Sequence, residues 1–299
     1  MAPLTRHLLG GRTDKATQFD FTEQLWCWND IIQSYSAMEL TYPTDKLVAI
    51  GGLAARAREH IGGRYIAGMW ERVIILQLLW SLFKESQPSH GSGYFHGPRP
   101  YTAPSWPWAS VDSELIINNR VSLKGYIEVA EVVSYDVQLL DYSNPYGRVL
   151  PGTSLLLRGS LSRLKHAARC PFYLDTESNM TRVSKRSISW DSDADRVNND
   201  VEYIALPLLC KPQLGDKWNL PPAKNEPYSW LTVEGLALEA AQEKGSFQRR
   251  GFFWLMNDFG IQYTALSQSF AKFDEDAGKS GLNYTNDGIL GYSYTIKLV

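Results

Sequence analysis

Apolar residues recur at three- and four-residue steps in the first third of the chain and at two-residue steps over most of the rest. The pattern predicts helices first and strands afterwards. Leu25, Trp28, Ile32 and Tyr35 mark a first amphipathic helix from about Thr22 to Tyr35, with Thr22 as its cap. Thr41-Tyr42-Pro43 then breaks the chain, and Thr44 offers the N-cap of a second helix with the stripe Leu47, Ile50, Ala54, Ala57 and Ile61. Gly51-Gly52 within that helix costs about 1 kcal/mol per residue against Ala, a cost best met where another backbone comes close. Asp45 suits the helix dipole of the first turn, and Lys46 beside it is expected in solvent. Gly62-Gly63 ends the helix. A third helix is expected from Ile66 through Met69, Val73, Leu76 and Trp80 to Phe83, its stripe widened by Trp70, Leu79 and Leu82.

From Lys84 to Pro100 the composition turns to Ser, Gly, Pro, His and Tyr, which reads as a loop. Its Gly91-Ser92-Gly93-Tyr94-Phe95-His96-Gly97 departs from GxGxxG spacing, with no strand before it and no helix after. Tyr101 to Asp112 follows, with Trp106-Pro107-Trp108 at its centre. Indoles one residue apart on an extended segment point to opposite faces. The expectation is a wedge, one ring in a helical layer and the other in a β core.

Beyond it, Gly125 to Leu140 and Thr153 to Leu164 read as the arms of a long hairpin around the turn Asp141-Tyr142-Ser143-Asn144-Pro145-Tyr146-Gly147. Further strands are expected at Val201–Leu209, Leu231–Glu239, Phe247–Met256 and Gly291–Leu298. Trp218 to Pro227 reads as a Pro-rich connector. The polar stretch Asp175–Asp200, with Asp191, Asp193 and Asp195, lacks the Gly and the distal Glu of a calcium loop and reads as solvated. The fold class is therefore α+β: an N-terminal three-helix layer packed on a mostly antiparallel β domain, either a sandwich or an open barrel. The organisation expected is a loose leader over 1–20, a helical layer over 21–84, a linker over 85–100 and a β-rich domain over 101–299.

Composition narrows the function. With 30 basic and 32 acidic residues in 299, the chain lacks the basic excess of a protein that grips nucleic acid or an anionic membrane. No apolar run reaches the roughly 18 residues of a membrane span; the best, Val73 to Phe83, is interrupted by Gln77. The N-terminal segment is too short and polar for a secretory signal. Cys27, Cys170 and Cys210 are odd in number and widely spaced, so a reducing, cytoplasmic setting is expected, and the sequons at Asn179 and Asn283 are then chance matches.

No GxSxG elbow occurs, and His7, His60, His90, His96 and His166 form no metal-spaced pair. Cys170, four residues after His166, reads as a structural thiol, and Glu128 and Glu131 as exposed positions on a sheet edge. No residue is therefore assigned as catalytic, cofactor-binding or metal-binding, and no cofactor is expected. The 10 Trp, 16 Tyr and 11 Phe suit either a β-domain core or a ligand groove.

The motifs also stand in a recognisable order. Tyr42-Pro43-Thr44-Asp45-Lys46-Leu47-Val48-Ala49-Ile50-Gly51-Gly52-Leu53-Ala54 is followed by Tyr65-Ile66-Ala67-Gly68-Met69-Trp70 and Leu78-Leu79-Trp80. Then come Ala103-Pro104-Ser105-Trp106-Pro107-Trp108-Ala109-Ser110, Asn144-Pro145-Tyr146-Gly147, Gly235-Leu236-Ala237-Leu238 and Arg249-Arg250-Gly251-Phe252-Phe253. From about residue 20 onward this series resembles the region downstream of the HET domain in fungal heterokaryon-incompatibility proteins. Pro107 stands where that family usually has Ser, and Gly51 where it often has Ser. The HET domain proper, with its Trp-Gly and Ile-Asp motifs, is not among these residues. The resemblance implies a non-catalytic accessory region working through protein partners in non-self recognition and regulated cell death. The alternative is an enzyme or carbohydrate-binding module using an aromatic-lined groove of the β domain.

Overall fold

The computed structural model describes residues 21–83, 100–117, 126–167, 170–174, 181–183, 188–191, 201–213, 229–262, 282–288 and 291–299. Among the described residues three α-helices precede a large, mostly antiparallel sheet, so the α+β class holds. The chain divides into two compact units, residues 1–119 with 136–153, and residues 120–135 with 154–299. The division falls later than the 85–100 linker, because the Trp-rich segment and the tip of the long hairpin make their contacts with the helices. The expected leader, the 84–99 loop and the 218–227 connector lie outside the described residues.

In the first unit, α1 (Phe21–Ser36) buries Leu25, Trp28 and Ile32, and α2 (Lys46–Ile61) buries Leu47, Ile50, Ala54, Ala57 and Ile61. The predicted stripes are the buried faces. Gly51 meets the close approach its cost implied: a Cβ there would stand 3.1 Å from the Tyr146 carbonyl oxygen. Thr44 is not the cap of α2. A 3-10 turn spans Pro43–Asp45, and Asp45, without a side-chain capping bond, precedes the first helical residue. The C-terminal end is as read, with Gly62 at φ 74 donating its N–H to the Arg58 carbonyl at 2.9 Å.

The third helix shrinks to one turn. Residues 65–83 fold as β1 (Tyr65–Ile66) and β2 (Met69–Trp70), a 3-10 turn at Glu71–Val73, α3 (Ile74–Gln77) and β3 (Ser81–Leu82). Ala67 and Gly68 between the first two strands have φ of 48 and 99, the two positive values of a type I′ turn. The hairpin packs Tyr65 edge-on to Trp70 at 5.0 Å, and Trp70 packs edge-on to Trp28 at 5.6 Å. Gln77, which broke the apolar run, is buried and accepts the Trp70 N–H at 2.6 Å. β4 (Leu115–Ile116) pairs with β3 and is tied to α1 by Leu115 N–H donating to the Ser36 hydroxyl at 3.0 Å.

The Trp-Pro-Trp segment is not extended throughout, for Trp108–Ser110 is a 3-10 turn. Both indoles are buried, and Trp108 meets Gly68, Tyr35 and Lys46 of the first unit. Its Nε1 donates to the Gly68 carbonyl at 2.7 Å and its ring meets Tyr35 edge-on. Trp80 Nε1 donates to the Trp106 carbonyl at 3.0 Å. The expected wedge between two layers is thus, in these contacts, a brace inside one of them.

The second unit carries a 12-stranded sheet. β12 (Tyr203–Gln213), β13 (Ser229–Ala240) and β14 (Ser246–Gln262) form a long antiparallel ladder. β16 (Gly291–Leu298) runs parallel to the start of β14 and antiparallel to β7 (Ser154–Gly159), which neighbours β6 (Ala130–Asp136). β8 (Ser162–Ala167) continues outward from β12 through β9 (Cys170–Leu174) to β10 (Thr181–Val183), while β11 (Ile188–Trp190) lies on β14 and β15 (Tyr284–Gly288) on β16.

The arms of the predicted long hairpin are both interrupted. β5 (Ile127–Glu128) pairs with β12 at Leu209 and Cys210, and after Val129 the chain continues as β6 beside β7. Val129 donates its own N–H to the Leu208 carbonyl at 2.9 Å. One bent strand therefore returns the sheet onto β12 and closes a ring through β13, β14, β16 and β7. Gly159 makes room at this closure, since a Cβ there would stand 2.8 Å from Leu206 Cδ1 and 3.0 Å from Ala130 Cβ. Pro207, which cannot donate to a ladder, sits where the β12–β13 register shifts. Opposite it only glycine fits: a Gly235 Cβ would lie 2.2 Å from the Leu206 carbonyl oxygen.

Candidate functional site

Ionisable side chains withdrawn from water mark positions where a fold holds charge at a cost, and functional groups concentrate there. Three stand out: Lys46, Arg249 and Glu234, all buried.

Lys46 is the correction to a solvated first-turn lysine. Its ammonium donates to the Val111 carbonyl and to Asp112 Oδ1 at 3.3 Å, and lies 5.7 Å from the centre of the Trp108 ring. Tyr35 donates its hydroxyl to the Lys46 carbonyl at 2.8 Å, and burial, with Asp45 second, pushes that phenol up to about 12. Helical spacing explains the placement, because Lys46 lies four residues before Ile50 on the buried stripe. The arrangement ties the start of α2 to the end of the Trp-rich segment. The partner left behind sets the cost of breaking it. Lys46→Met leaves Asp112, 43 % exposed, to be hydrated, and is expected to cost about 1–2 kcal/mol. Asp112→Ala leaves the ammonium buried with less countercharge, and is expected to cost more, about 3 kcal/mol. Urea unfolding of both variants measures the order.

Arg249 of β14 is fully buried and engages Asp191, just beyond β11, with Nε–Oδ2 at 2.9 Å and Nη2–Oδ1 at 3.3 Å. Asp191 is therefore not a solvated loop residue, and its own N–H donates to the Arg250 carbonyl at 2.8 Å. Asp193 and Asp195 lie outside the described residues.

Glu234 of β13 is 5 % exposed. Leu209 of β12 faces it on one side and faces Glu128 of β5 on the other. From just before β5, Tyr126 reaches over β12 and donates its hydroxyl to Glu234 Oε1 at 3.2 Å. Glu234 Oε2 is buried without a hydrogen-bond partner among the described residues. Burial raises the carboxyl above its usual range, and the Tyr126 bond pulls it partly back. Tyr126 is pushed up to about 12 by burial first and by Glu234 second, and its ring lies 5.7 Å from the Lys211 ammonium. Cys210, on the opposite face of β12, is a buried thiol raised by burial and then by Glu234. This cluster of carboxyl, phenol and ammonium at the ring closure is the strongest candidate site in the second unit. Its chemistry is that of a proton held in place.

The other candidates disperse. His60 is exposed on α2, the side chain of His166 lies outside the described part, and His7, His90 and His96 are outside the described residues. Cys27 is buried on α1 and raised by burial, then by Asp30 and Glu23, which makes it a poor nucleophile. Cys170 lies on β9, with its side chain outside the described part. Glu131 is exposed and pairs with Arg158 at 2.6 Å, whereas Glu128 is exposed at the seam. Among the described residues no group of three His, Cys, Asp or Glu could hold a metal ion, and no helix is long and apolar enough to cross a membrane.

Sequence reasoning missed all three buried charges, although each interrupts an apolar pattern in phase. Glu234 alternates with Leu236 and Leu238, Arg249 with Phe247 and Gly251, and Lys46 steps to Ile50 and Ala54. No family model, curated protein or solved structure matches this chain.

Proposed function

We propose that the chain is a non-catalytic accessory region of a fungal heterokaryon-incompatibility-type protein, acting in non-self recognition through a protein partner in the cytoplasm. One observation carries this reading: several glycines and indoles of the motif series are packing residues. Gly51 admits Tyr146, whose ring lies 5.5 Å from that of Tyr65. Gly68 receives the Trp108 indole, and Trp80 bonds the Trp106 carbonyl. Gly235 and Gly251 let neighbouring backbone approach, the latter with the Ser189 carbonyl oxygen 2.7 Å from where a Cβ would be. A signature made of glycines and buried indoles preserves a scaffold, and a scaffold without its own chemistry acts by what it binds.

The test is expression in a fungal host. The chain alone is expected to leave growth and fusion compatibility unchanged. Together with a HET-domain protein it is expected to alter the incompatibility response and to co-purify with that protein. Cell death on expressing the chain alone overturns the accessory role.

A further inference from the structure

We propose that Glu234 is a proton-controlled latch on the seam where the β sheet of the second unit closes on itself. The seam is short. β5 contributes only the pairs Leu209–Glu128 and Cys210–Ile127, followed by the Val129 bond to Leu208. Across it, the Tyr126–Glu234 hydrogen bond fastens the chain before β5 to β13, over the intervening β12.

A neutral carboxyl suits this place, because its second oxygen, buried and without a donor, would leave a charge unhydrated, and the hydrogen bond that the first accepts from the phenol offsets this only in part. An ionised carboxyl there needs water on that second oxygen, and water gains entry by parting β5 from β12. Each strand beside Glu234 brings its own neighbours, of which Cys210 lies on the opposite face of β12. Tyr126, with Glu128 after it, belongs to the β5 side, and Lys211 and Cys210 to β12. On β13 itself Thr232 exchanges a hydrogen bond with Tyr126, and the β14 partner, Trp254, is uncharged. Farther along, Arg249 is engaged by Asp191.

The sign follows from linkage. Closed, Glu234 keeps its proton to a higher pH than when open, where it titrates near the ordinary value of about 4.3. Between those two values the closed form holds the extra proton, so raising the pH favours opening, by up to tenfold per pH unit.

Amide hydrogen exchange of Val129, followed by NMR from about pH 4 to 8, reads the seam directly. The wild-type protection factor of Val129 is expected to fall by up to tenfold per unit through this window. Glu234→Gln, which cannot ionise, is expected to flatten the decline to what Glu128 contributes, its carboxyl on β5 being raised by burial as well, and Glu128→Gln with Glu234→Gln is expected to hold it constant. Tyr126→Phe removes a bond that favours the ionised form, so its decline is expected to continue to a higher pH.

A flat wild-type profile, or a Glu234→Gln profile parallel to wild type, overturns the latch. So does a decline in Val129 matched in size by Leu236 in the β12–β13 ladder, which would place the ionisation on global unfolding. Should Glu234→Gln fail to fold, a Tyr126→Phe decline ending at the wild-type pH overturns it equally.

Discussion

Asp191→Ala is expected to destabilise the second unit by about 3–5 kcal/mol, in keeping with the removal of one partner from a buried ion pair. The Arg249 side chain is 0 % exposed and the Asp191 side chain 9 %, so neither the pair nor the residue left behind is hydrated. Burial already works against the guanidinium, lowering its pKa, and Asp191 opposes that effect through charge and two hydrogen bonds. Without Asp191, a cation that does not deprotonate in this pH range stays in the sheet with its principal counter-ion gone. Replacing both partners by apolar residues, as in Asp191→Leu with Arg249→Met, is expected to recover most of the loss, because the desolvation of two charges disappears with them. Salt separates this pair from the surface pairs: between 0.1 and 1 M the Asp191→Ala loss is expected to persist, while any contribution of Arg158–Glu131 is screened away. Denaturant unfolding followed by circular dichroism gives each value. A loss below about 0.5 kcal/mol for Asp191→Ala, typical of a surface substitution, contradicts the buried-pair account.

The same pair shows what a sequence exposes and what it conceals. That Arg249 is buried went unread yet was legible, because it falls in phase with Phe247 in a strand. That Asp191 answers it was not, since the partners are 58 residues apart and Asp191 sits in a stretch whose composition reads as solvent-facing. Helices α1 and α2 were legible because each carries one buried face, and β14 and β16 because their buried positions largely alternate, which leaves a period; β12 and β13, buried on both faces from Ala205 to Cys210 and from Val233 to Leu238, were legible as apolar runs of strand length. Residues 65–83 left a misleading period. Nearly every residue from Tyr65 to Trp70 is buried, so the apolar positions fit a helical stripe while the chain folds as a hairpin. Short apolar runs are ambiguous between helix and strand, and tertiary contact decides them. The closure of the sheet was hidden for a related reason. It depends on two residue pairs and a bend at Val129, too short to carry any pattern. Glu234 was legible as a charge in an apolar phase, yet its role as a carboxyl spanning three strands comes only from the closure.

Trp108→Ala is expected to cost the first unit about 3–5 kcal/mol, the range for deleting a large aromatic from a packed interior. The ring is 1 % exposed, meets Tyr35 edge-on at 6.0 Å and shields the Lys46 ammonium. Its loss also strips the Gly68 carbonyl of the indole donor at 2.7 Å. Trp108→Phe keeps most of the packing and loses that donor, so about 1–3 kcal/mol is expected from the carbonyl alone. Gly68 is the second half of the contact. Its φ of 99 belongs to glycine, and a Cβ would stand 3.0 Å from both Trp108 Nε1 and Leu47 Cδ2. Gly68→Ala is therefore destabilising through the backbone and through the clash, and only the part of the clash made against the indole is relieved when the indole is removed. The double variant is expected to be less destabilised than the sum of the single ones by about 1 kcal/mol or more, the coupling of residues in direct contact. Urea unfolding of the four proteins in this cycle measures it. Additivity within about 0.5 kcal/mol would mean that the indole and the turn are independent. The Trp-rich segment would then be a filler of the first unit, where the structure has it fixing the Ala67–Gly68 turn that replaces a helix.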